Sequence, residues 1–169
     1  LENISTEHEV FAGTEPNPTE TQVKEVTALY KDSGCDGIIA LGGGSSMDLA
    51  KAVGLMATHD GELATYGATV GGGKKIGKVP PLIAIPTTAG TGSEVSVGAV
   101  VILESGLKQT FASPKLVPAT AICDPELTLG LPPMLTAATG MDAVTHCIEA
   151  VLAPTINPPA EGIGLDGLG

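Results

Sequence analysis

The sequence has very few aromatic residues: no tryptophan, two phenylalanines and two tyrosines among 169 residues. A hydrophobic core must therefore be built from aliphatic side chains, and an apolar content of 43% is enough for about one domain. Cores of valine, isoleucine, leucine and alanine are typical of parallel β-sheets covered by helices. The scarcity of aromatic residues thus indicates an α/β fold.

Basic residues are also scarce, with eight lysines and arginines against nineteen acids and a net charge of −11. A surface of that charge argues against nucleic acids and anionic membranes as partners. The sequence has no long apolar run of the length that a membrane span needs and no charged-then-apolar leader, so neither a membrane span nor a signal peptide is predicted.

Cysteine is limited to Cys35, Cys123 and Cys147, which are widely spaced and set among apolar residues. This odd-numbered pattern favours buried thiols in a reducing compartment over a disulfide framework. We therefore expect a cytoplasmic protein.

Glycine and proline are abundant, at 23 and 13 residues, and they separate apolar segments. A helix is predicted from its cap at Thr19 to Gly34, and the apolar run 37–41 predicts a buried parallel strand. A glycine-rich turn and a helix over 46–56 follow at once. Strand, glycine turn and helix make half of a βαβ unit.

The middle of the chain predicts more strands. Residues 57–80 are polar and glycine-rich, and they are predicted to form a surface excursion. The next buried strand is predicted over 82–85 and ends at Pro86, and further strands are predicted over 95–103 and 121–123.

The last part of the sequence has a different residue composition. After Leu131 the residues are helix formers, and no strand signal follows. We therefore predict a domain boundary near residue 131, with an α/β domain over 1–131 and the start of a helical domain over 132–169.

The segment Gly42-Gly43-Gly44-Ser45-Ser46-Met47-Asp48 lies directly between the first strand and its helix. Without Cβ atoms, successive backbone N–H groups can close on an anion, and the helix N-terminus adds partial positive charge. A pyrophosphate is the natural ligand, and the alternative is a purely structural tight turn. The glycine spacing is not that of the usual dinucleotide fingerprint.

A second polar loop runs from Pro86 to Glu94, directly after the second predicted strand. It places four hydroxyl side chains and two glycines at the carboxyl end of a strand, where open α/β sheets bind ligands. The alternative is a turn whose hydroxyls bond to their own backbone. Two such loops at two strand ends favour a shared ligand site.

Asp142 and His146 lie four residues apart in a predicted helix, so they share one helical face. Such a pair is more often a surface pair, but here apolar positions surround it, and a buried carboxylate needs a partner or a metal. Two ligands are half of a site, because catalytic metals usually have three or more protein ligands. The other two histidines, His8 and His59, are predicted to be solvated.

Taken together, these motifs resemble the iron-containing (group III) alcohol dehydrogenase family. The resemblance covers nearly the whole chain and is carried by the segments Pro16–Thr19, Gly42–Lys51, Pro86–Glu94, Asp124–Thr128 and Ala137–His146. It implies a Rossmann-like, dinucleotide-binding domain with a parallel sheet, followed by an all-helical domain, with the active site in the cleft.

The resemblance also implies a reaction. It is hydride transfer between NAD or NADP and a small primary alcohol or aldehyde, with Fe²⁺, sometimes Zn²⁺, binding the substrate oxygen as a Lewis acid. Asp142 and His146 match the first two of four metal ligands. The residues that match the family's cofactor contacts are Asn17, Gly43, Gly44, Ser45, Asp48, Thr87, Thr88, Thr91 and Lys108. Of these, Gly43, Gly44, Ser45 and Asp48 would line the pyrophosphate.

The sequence departs from the family at both ends. The family's first strand, helix and second strand are missing, and so are its two later histidine ligands, so we expect a truncated sequence. The acidic residue that usually binds the adenosine ribose belongs to the missing part. The sequence therefore does not decide whether the cofactor is NAD or NADP. We expect no turnover from these 169 residues alone.

Other functions stay open. One is a family relative that acts on a polyol, a hydroxy acid or a maleylacetate-type keto acid, and another is a non-catalytic nucleotide-binding fragment. A lyase of the dehydroquinate-synthase type shares the general architecture, but its motifs differ. The resemblance further implies a small-molecule alcohol or aldehyde substrate and a homo-oligomer.

Overall fold

A computed structural model describes residues 7–169, which form two compact units. One unit comprises the described residues up to Pro86 together with Ser93–Cys123, and the other comprises Thr87–Gly92 and Asp124–Gly169. The first six residues of the domain predicted over 1–131 lie outside the described residues. The exact boundary near residue 131 stays a prediction.

The elements are those of an α/β protein. The strands are β1 (Ile38–Gly42), β2 (Leu82–Pro86), β3 (Gly98–Ile102), β4 (Lys108–Ala112) and β5 (Thr120–Ala121). The helices are α1 (Glu20–Asp32), α2 (Gly44–Thr58), α3 (Pro133–Leu152) and α4 (Pro158–Leu168). No helix among residues 7–169 is both long and apolar enough to cross a membrane.

Helix α1 begins where the sequence predicts. The Thr19 hydroxyl accepts a hydrogen bond from the Gln22 N–H at 3.3 Å, and the Gln22 side chain accepts one from the Thr19 N–H at 3.5 Å. This reciprocal pair is a capping box, which satisfies two N–H groups that the helix leaves without partners. After the helix, Gly34 adopts φ +66°, as expected of a residue that ends a helix.

The parallel sheet has the order β1-β2-β5, which confirms the predicted α/β class. Gly42 at the end of β1 lies beside Pro86 at the end of β2. The prediction that the whole 37–41 run is buried is wrong for Ile39 and Leu41, which are 62% and 59% exposed. Their side of this edge strand is not covered by any element among the described residues.

Strands β3 and β4 form a separate antiparallel hairpin. Strand β3 falls within the predicted 95–103 segment, but β4 was not predicted. Its sequence is mostly polar, and only Gln109 and Phe111 are buried. Two buried positions in five residues are too weak a period-2 signal to identify a strand, so the pairing with β3 decides its conformation.

The surface excursion predicted over 57–80 is partly wrong. Leu63, Tyr66 and Ile76 are buried in the main hydrophobic cluster, together with Val53 and Phe111. Leu63 and Tyr66 lie in a short 3₁₀ turn and Ile76 directly follows another, so none of them belongs to a regular helix or strand. Isolated apolar residues in such turns have no periodicity that sequence analysis could detect.

His59 was predicted to be solvated, and this is also wrong. Its Nε2 accepts a hydrogen bond from the Gly77 N–H at 2.7 Å, and its Nδ1 lies 2.9 Å from the Leu55 carbonyl oxygen. Its ring packs edge-on against Tyr66, with the centroids 5.5 Å apart. The imidazole therefore links the backbone near the end of the 57–80 segment to the C-terminal end of α2 through its two ring nitrogens.

The three cysteines are free thiols, as predicted. Cys35 and Cys147 are partly buried, whereas Cys123 is exposed, so the prediction of a buried thiol is wrong for Cys123. It lies just beyond β5, a two-residue strand with no buried position, and an apolar neighbourhood in sequence does not guarantee burial.

In the second unit, α3 and α4 pack together through small residues. A Cβ at Gly164 would lie 2.9 Å from the Cys147 carbonyl oxygen, and one at Gly167 would lie 2.7 Å from the Cys147 sulfur. Glycine therefore permits the two backbones to approach closely. The prediction that the chain is helical after residue 131 is confirmed.

Candidate functional site

The turn between β1 and α2 depends on glycine. Gly42 has φ +149°, and a Cβ there would overlap the Ser46 side chain. Gly43 is the N-cap residue of α2 and has no side chain to cap the helix. The first N–H groups of an α-helix have no intrahelical partner, so those of Gly44 and Ser45 are available to an anion. The structure therefore forms the glycine turn that the sequence predicts, and anion binding at this turn stays a prediction.

Three predicted cofactor residues meet beside this turn. The Asn17 N–H donates a hydrogen bond to Ser45 Oγ at 3.2 Å, and Lys108 Nζ donates one to Asn17 Oδ1 at 2.8 Å. Asn17 has φ +59° and is the only non-glycine residue with positive φ among residues 7–169. Asparagine tolerates this conformation better than most residues. The cluster thus places an exposed ammonium group next to the start of α2.

Asp48, which is also predicted to contact the cofactor, is held by two hydrogen bonds within the protein. Its Oδ1 accepts a hydrogen bond from Ser93 Oγ at 2.8 Å, and its Oδ2 accepts one from the Val100 N–H at 2.9 Å. Burial raises the pKa of this carboxyl above its ordinary value, although both hydrogen bonds and Lys51 act in the opposite direction. Both carboxylate oxygens are occupied by protein donors, and the predicted contact with pyrophosphate stays a prediction.

Lys51 is an important residue that sequence reasoning did not single out. It is 2% exposed, and its Nζ donates to the carbonyl oxygens of Gly98 at 2.7 Å and Ser96 at 3.0 Å. The same ammonium donates to Ser93 Oγ at 3.2 Å, so it shares that hydroxyl with Asp48. Burial lowers the pKa of Lys51, opposed by Asp48. The only signal in the sequence is the Asp-x-x-Lys spacing, which places both side chains on one helical face.

The buried Asp48 carboxyl predicts a specific pH dependence. Because its pKa is raised above the ordinary 3.8, the folded chain binds this proton more tightly than the unfolded chain does. The stability that Asp48 contributes is therefore fully present below 3.8 and is lost as the pH rises through the raised pKa.

We expect the native chain to gain stability relative to Asp48→Asn as the pH falls from about 7 to about 4. Urea unfolding of both proteins across that range measures the difference. A difference that moves in favour of Asp48→Asn in acid would contradict the assignment.

The second predicted loop, Thr87–Gly92, belongs to the same unit as α3. Thr88 Oγ1 is buried and has no hydrogen-bond partner among the described residues. A buried hydroxyl without a partner is unfavourable, so a ligand or a water that bonds to it would be stabilising. Gly90 brings the loop directly against α3 at Thr139 and Asp142.

Asp142 and His146 lie on one face of α3, as predicted, with His146 Nε2 3.9 Å from Asp142 Oδ1. Ligand atoms about 2.1 Å from one metal ion can be at most about 4.2 Å apart, so both side chains can reach the same ion. Carboxylate oxygen and imidazole nitrogen suit Fe²⁺ or Zn²⁺. No group of three or more potential ligands occurs within residues 7–169, so the pair is a partial site.

The expectation that apolar neighbours bury this pair is wrong. The side chains of Asp142 and His146 are 43% and 50% exposed. Helix α3 has no buried residue, because α4 is the only helix or strand in its unit that packs against it. Burial therefore does not support the predicted metal site. The support comes from the types of the two donor atoms and from the distance between them.

Comparison with known proteins agrees with these features. The family model for iron-containing alcohol dehydrogenases matches residues 1–125. A 4-hydroxybutyrate dehydrogenase from Cupriavidus necator is 60% identical over 160 residues, which are 94% of this chain and 42% of that protein. A choline dehydrogenase from Bacillus subtilis (strain 168) is 42% identical over 98% of this chain and 41% of its own length.

Solved structures show the same relationship. The crystal structure of sulfoacetaldehyde reductase from Bifidobacterium kashiwanohense, in complex with NAD⁺, superimposes with a TM-score of 0.83 at 36% identity. That match covers 93% of this chain and 42% of the reductase. The chain therefore spans about two fifths of the length of the relatives it matches.

Proposed function

The chain belongs to the iron-containing alcohol dehydrogenase family, and we propose that it supplies the nicotinamide-cofactor site and two metal ligands of a metal-dependent alcohol dehydrogenase. The observation that carries the proposal is the Asn17–Ser45–Lys108 cluster at the start of α2. Three residues carried over from the family resemblance, separated by up to 91 positions, are joined there by direct hydrogen bonds.

The first loop is proposed to bind the cofactor's pyrophosphate. The N–H groups of Gly44 and Ser45 point from the positive end of the α2 dipole, and Gly43 lets an anion approach the backbone closely. Lys108 adds a positive charge beside them. The first loop is otherwise uncharged apart from Asp48, so dipoles and one ammonium group would hold the phosphates.

The second loop is proposed to contact other parts of the cofactor through Thr87, Thr88 and Thr91. The buried Thr88 hydroxyl supports this role, because a hydrogen bond from a ligand would satisfy it. NAD⁺ is bound in the sulfoacetaldehyde reductase structure, and we propose a nicotinamide dinucleotide for this chain. Whether it is NAD⁺ or NADP⁺ is decided by titrating both.

Asp142 and His146 are proposed to hold Fe²⁺ or Zn²⁺. When bound, such an ion polarises the substrate oxygen and lowers the pKa of an alcohol. The carboxylate of Asp142 adds negative charge that offsets the charge of the ion. His146 would bind the ion through an imidazole nitrogen.

We propose a small primary alcohol as substrate, with a hydroxy acid of the 4-hydroxybutyrate type as the first candidate. The identity of 60% with a 4-hydroxybutyrate dehydrogenase favours this choice, since that substrate is both a primary alcohol and a hydroxy acid. The test is calorimetric titration of the metal-loaded chain with 4-hydroxybutyrate, choline and 1,3-propanediol in the presence of NAD⁺. Tighter binding of choline or 1,3-propanediol than of 4-hydroxybutyrate would overturn the proposed substrate.

Homo-oligomerisation and a cytoplasmic location stay predictions. The alternative of a non-catalytic nucleotide-binding module differs in one measurable respect. A module binds the cofactor with no response to metal, whereas the enzyme reduces an aldehyde only when Fe²⁺ or Zn²⁺ is present.

The cofactor proposal is tested by calorimetric titration of the chain with NAD⁺ and with NADP⁺. Replacing Lys108 by glutamine is expected to weaken binding about three- to tenfold, since an exposed charge contact is worth on the order of 1 kcal/mol. Lys115→Gln is the matched control, because it removes an exposed lysine outside the Asn17–Ser45–Lys108 cluster. Equal affinities for Lys108→Gln and the native chain would contradict the proposed site.

A further inference from the structure

Gly90 brings the backbone of the Thr87–Gly92 loop close to α3. A Cβ built at this position would overlap the carbonyl oxygen of Thr139 and would lie 3.0 Å from Asp142 Oδ2 and 3.1 Å from Asp142 Cβ. The loop backbone therefore rests directly on the helical turn that carries Asp142. No side chain separates the two.

Two independent features require glycine at this position. The first is φ +102°, a conformation that residues with a side chain rarely adopt. The second is the overlap with the Thr139 carbonyl, which is part of the α3 backbone. Because helix backbone cannot yield as a flexible side chain can, a Cβ at residue 90 would push the loop away from the helix.

Gly92, in the same loop, has the first of these features without the second. It also has positive φ, at +61°, but nothing lies within 4 Å of a Cβ built there. Alanine at residue 92 therefore adds backbone strain without a collision. Gly92→Ala is therefore the control for an alanine in this loop that does not contact α3.

We propose that Gly90 is a positioning residue that sets the distance between the Thr87–Gly92 loop and the Asp142 turn. The meaning of this distance rests on the proposed function, in which the loop contacts the nicotinamide cofactor and Asp142 binds the metal. Hydride transfer needs the cofactor and the metal-bound substrate to be held at close range. A residue without a side chain, at the contact itself, holds the two parts together.

The test uses the native chain, Gly90→Ala and Gly92→Ala, with Mn²⁺ alone as a paramagnetic probe. Mn²⁺ bound at Asp142 and His146 broadens the NMR signals of nearby backbone amides. In the native chain and in Gly92→Ala, we expect broadening both around Asp142 and in the loop at Thr88 and Thr91. In Gly90→Ala, we expect the same broadening around Asp142 and a several-fold smaller relaxation enhancement in the loop.

Unchanged enhancement in the loop of Gly90→Ala, or an equal fall in Gly92→Ala, would overturn the proposal. Unaltered amide signals in α1 and α2 show that a variant is folded, so a loss confined to the loop is not a general folding defect. Both alanine variants strain the backbone, and the strain is larger at residue 90, because φ +61° lies in the left-handed region that alanine can adopt and φ +102° does not. A role limited to backbone conformation would alter the loop without moving it away from the Asp142 turn, so the distance-dependent Mn²⁺ enhancement in the loop decides between the two roles.

A second readout separates this proposal from the proposed function. Amide hydrogen exchange at residues 88–92 is measured without metal or cofactor, and we expect faster exchange in Gly90→Ala than in Gly92→Ala. If Mn²⁺ broadens no signal in the native chain, the metal part of the proposed function fails, and the exchange rates still decide the role of Gly90. Equal exchange rates would overturn the positioning role even where Mn²⁺ binds.

Discussion

Replacing Lys51 by methionine is expected to lower the free energy of unfolding by about 3–5 kcal/mol. Methionine has a similar length, so the loss comes from chemistry rather than from volume. The substitution leaves Asp48 without its neighbouring positive charge and removes the donor to the Gly98 and Ser96 carbonyl oxygens. Buried polar groups that lose a partner carry the full cost of their lost hydration.

The measurement is urea unfolding followed by circular dichroism. Lys24→Met is the matched control, because Lys24 also makes short ion pairs, at 2.6 Å to Glu104 and 3.2 Å to Glu20, but its side chain is 58% exposed. Solvent screens such pairs, so the control is expected to unfold much like the native chain. Equal effects of the two substitutions would mean that burial of Lys51 is not what matters.

Replacing Phe111 by alanine is also expected to lower the free energy of unfolding by about 3–5 kcal/mol. Phe111 is fully buried in the main cluster and is one of only two phenylalanines in the chain. Its removal leaves a cavity between the β3–β4 hairpin and the residues of α2 and the 57–80 segment. The same hairpin carries Lys108, so the affinity for NAD⁺ is expected to fall with the stability.

Thermal unfolding and NAD⁺ titration are the measurements for this prediction. Thr110→Ala is the control, because Thr110 is the preceding residue on β4 and is exposed. Its effect on stability is expected to stay within about 0.5 kcal/mol. A Phe111→Ala chain that melts like Thr110→Ala would show that the hairpin is not anchored by this ring.

Local signals explain which elements were predicted. The capping box at Thr19 and Gln22, the glycine turn before α2 and Pro86 at the end of β2 each act within a few residues. Their physical causes are hydrogen bonds to the first helical turn, freedom of φ and the missing N–H of proline. Such signals can be read without knowing what packs against them.

Exposure was the property that sequence reasoning misjudged most often. Ile39, Cys123 and the Asp142–His146 pair have apolar neighbours in sequence, yet all are exposed to a large extent. His59 is in a polar segment, yet both ring nitrogens are engaged. Burial depends on which other element covers a residue, and neighbours along the chain do not determine that.

The sequence by itself determined the family, the α/β class, the glycine turn at α2 and the i, i+4 spacing of Asp142 and His146, because each of these is a short-range pattern. Only the tertiary structure decided that β4 pairs with β3, that Lys51 and Asp48 share Ser93, and that Lys108 reaches Asn17 across 91 residues. The physical reason is that hydrogen bonds between distant residues form only after packing brings their elements together, and nothing local in the sequence encodes that distance.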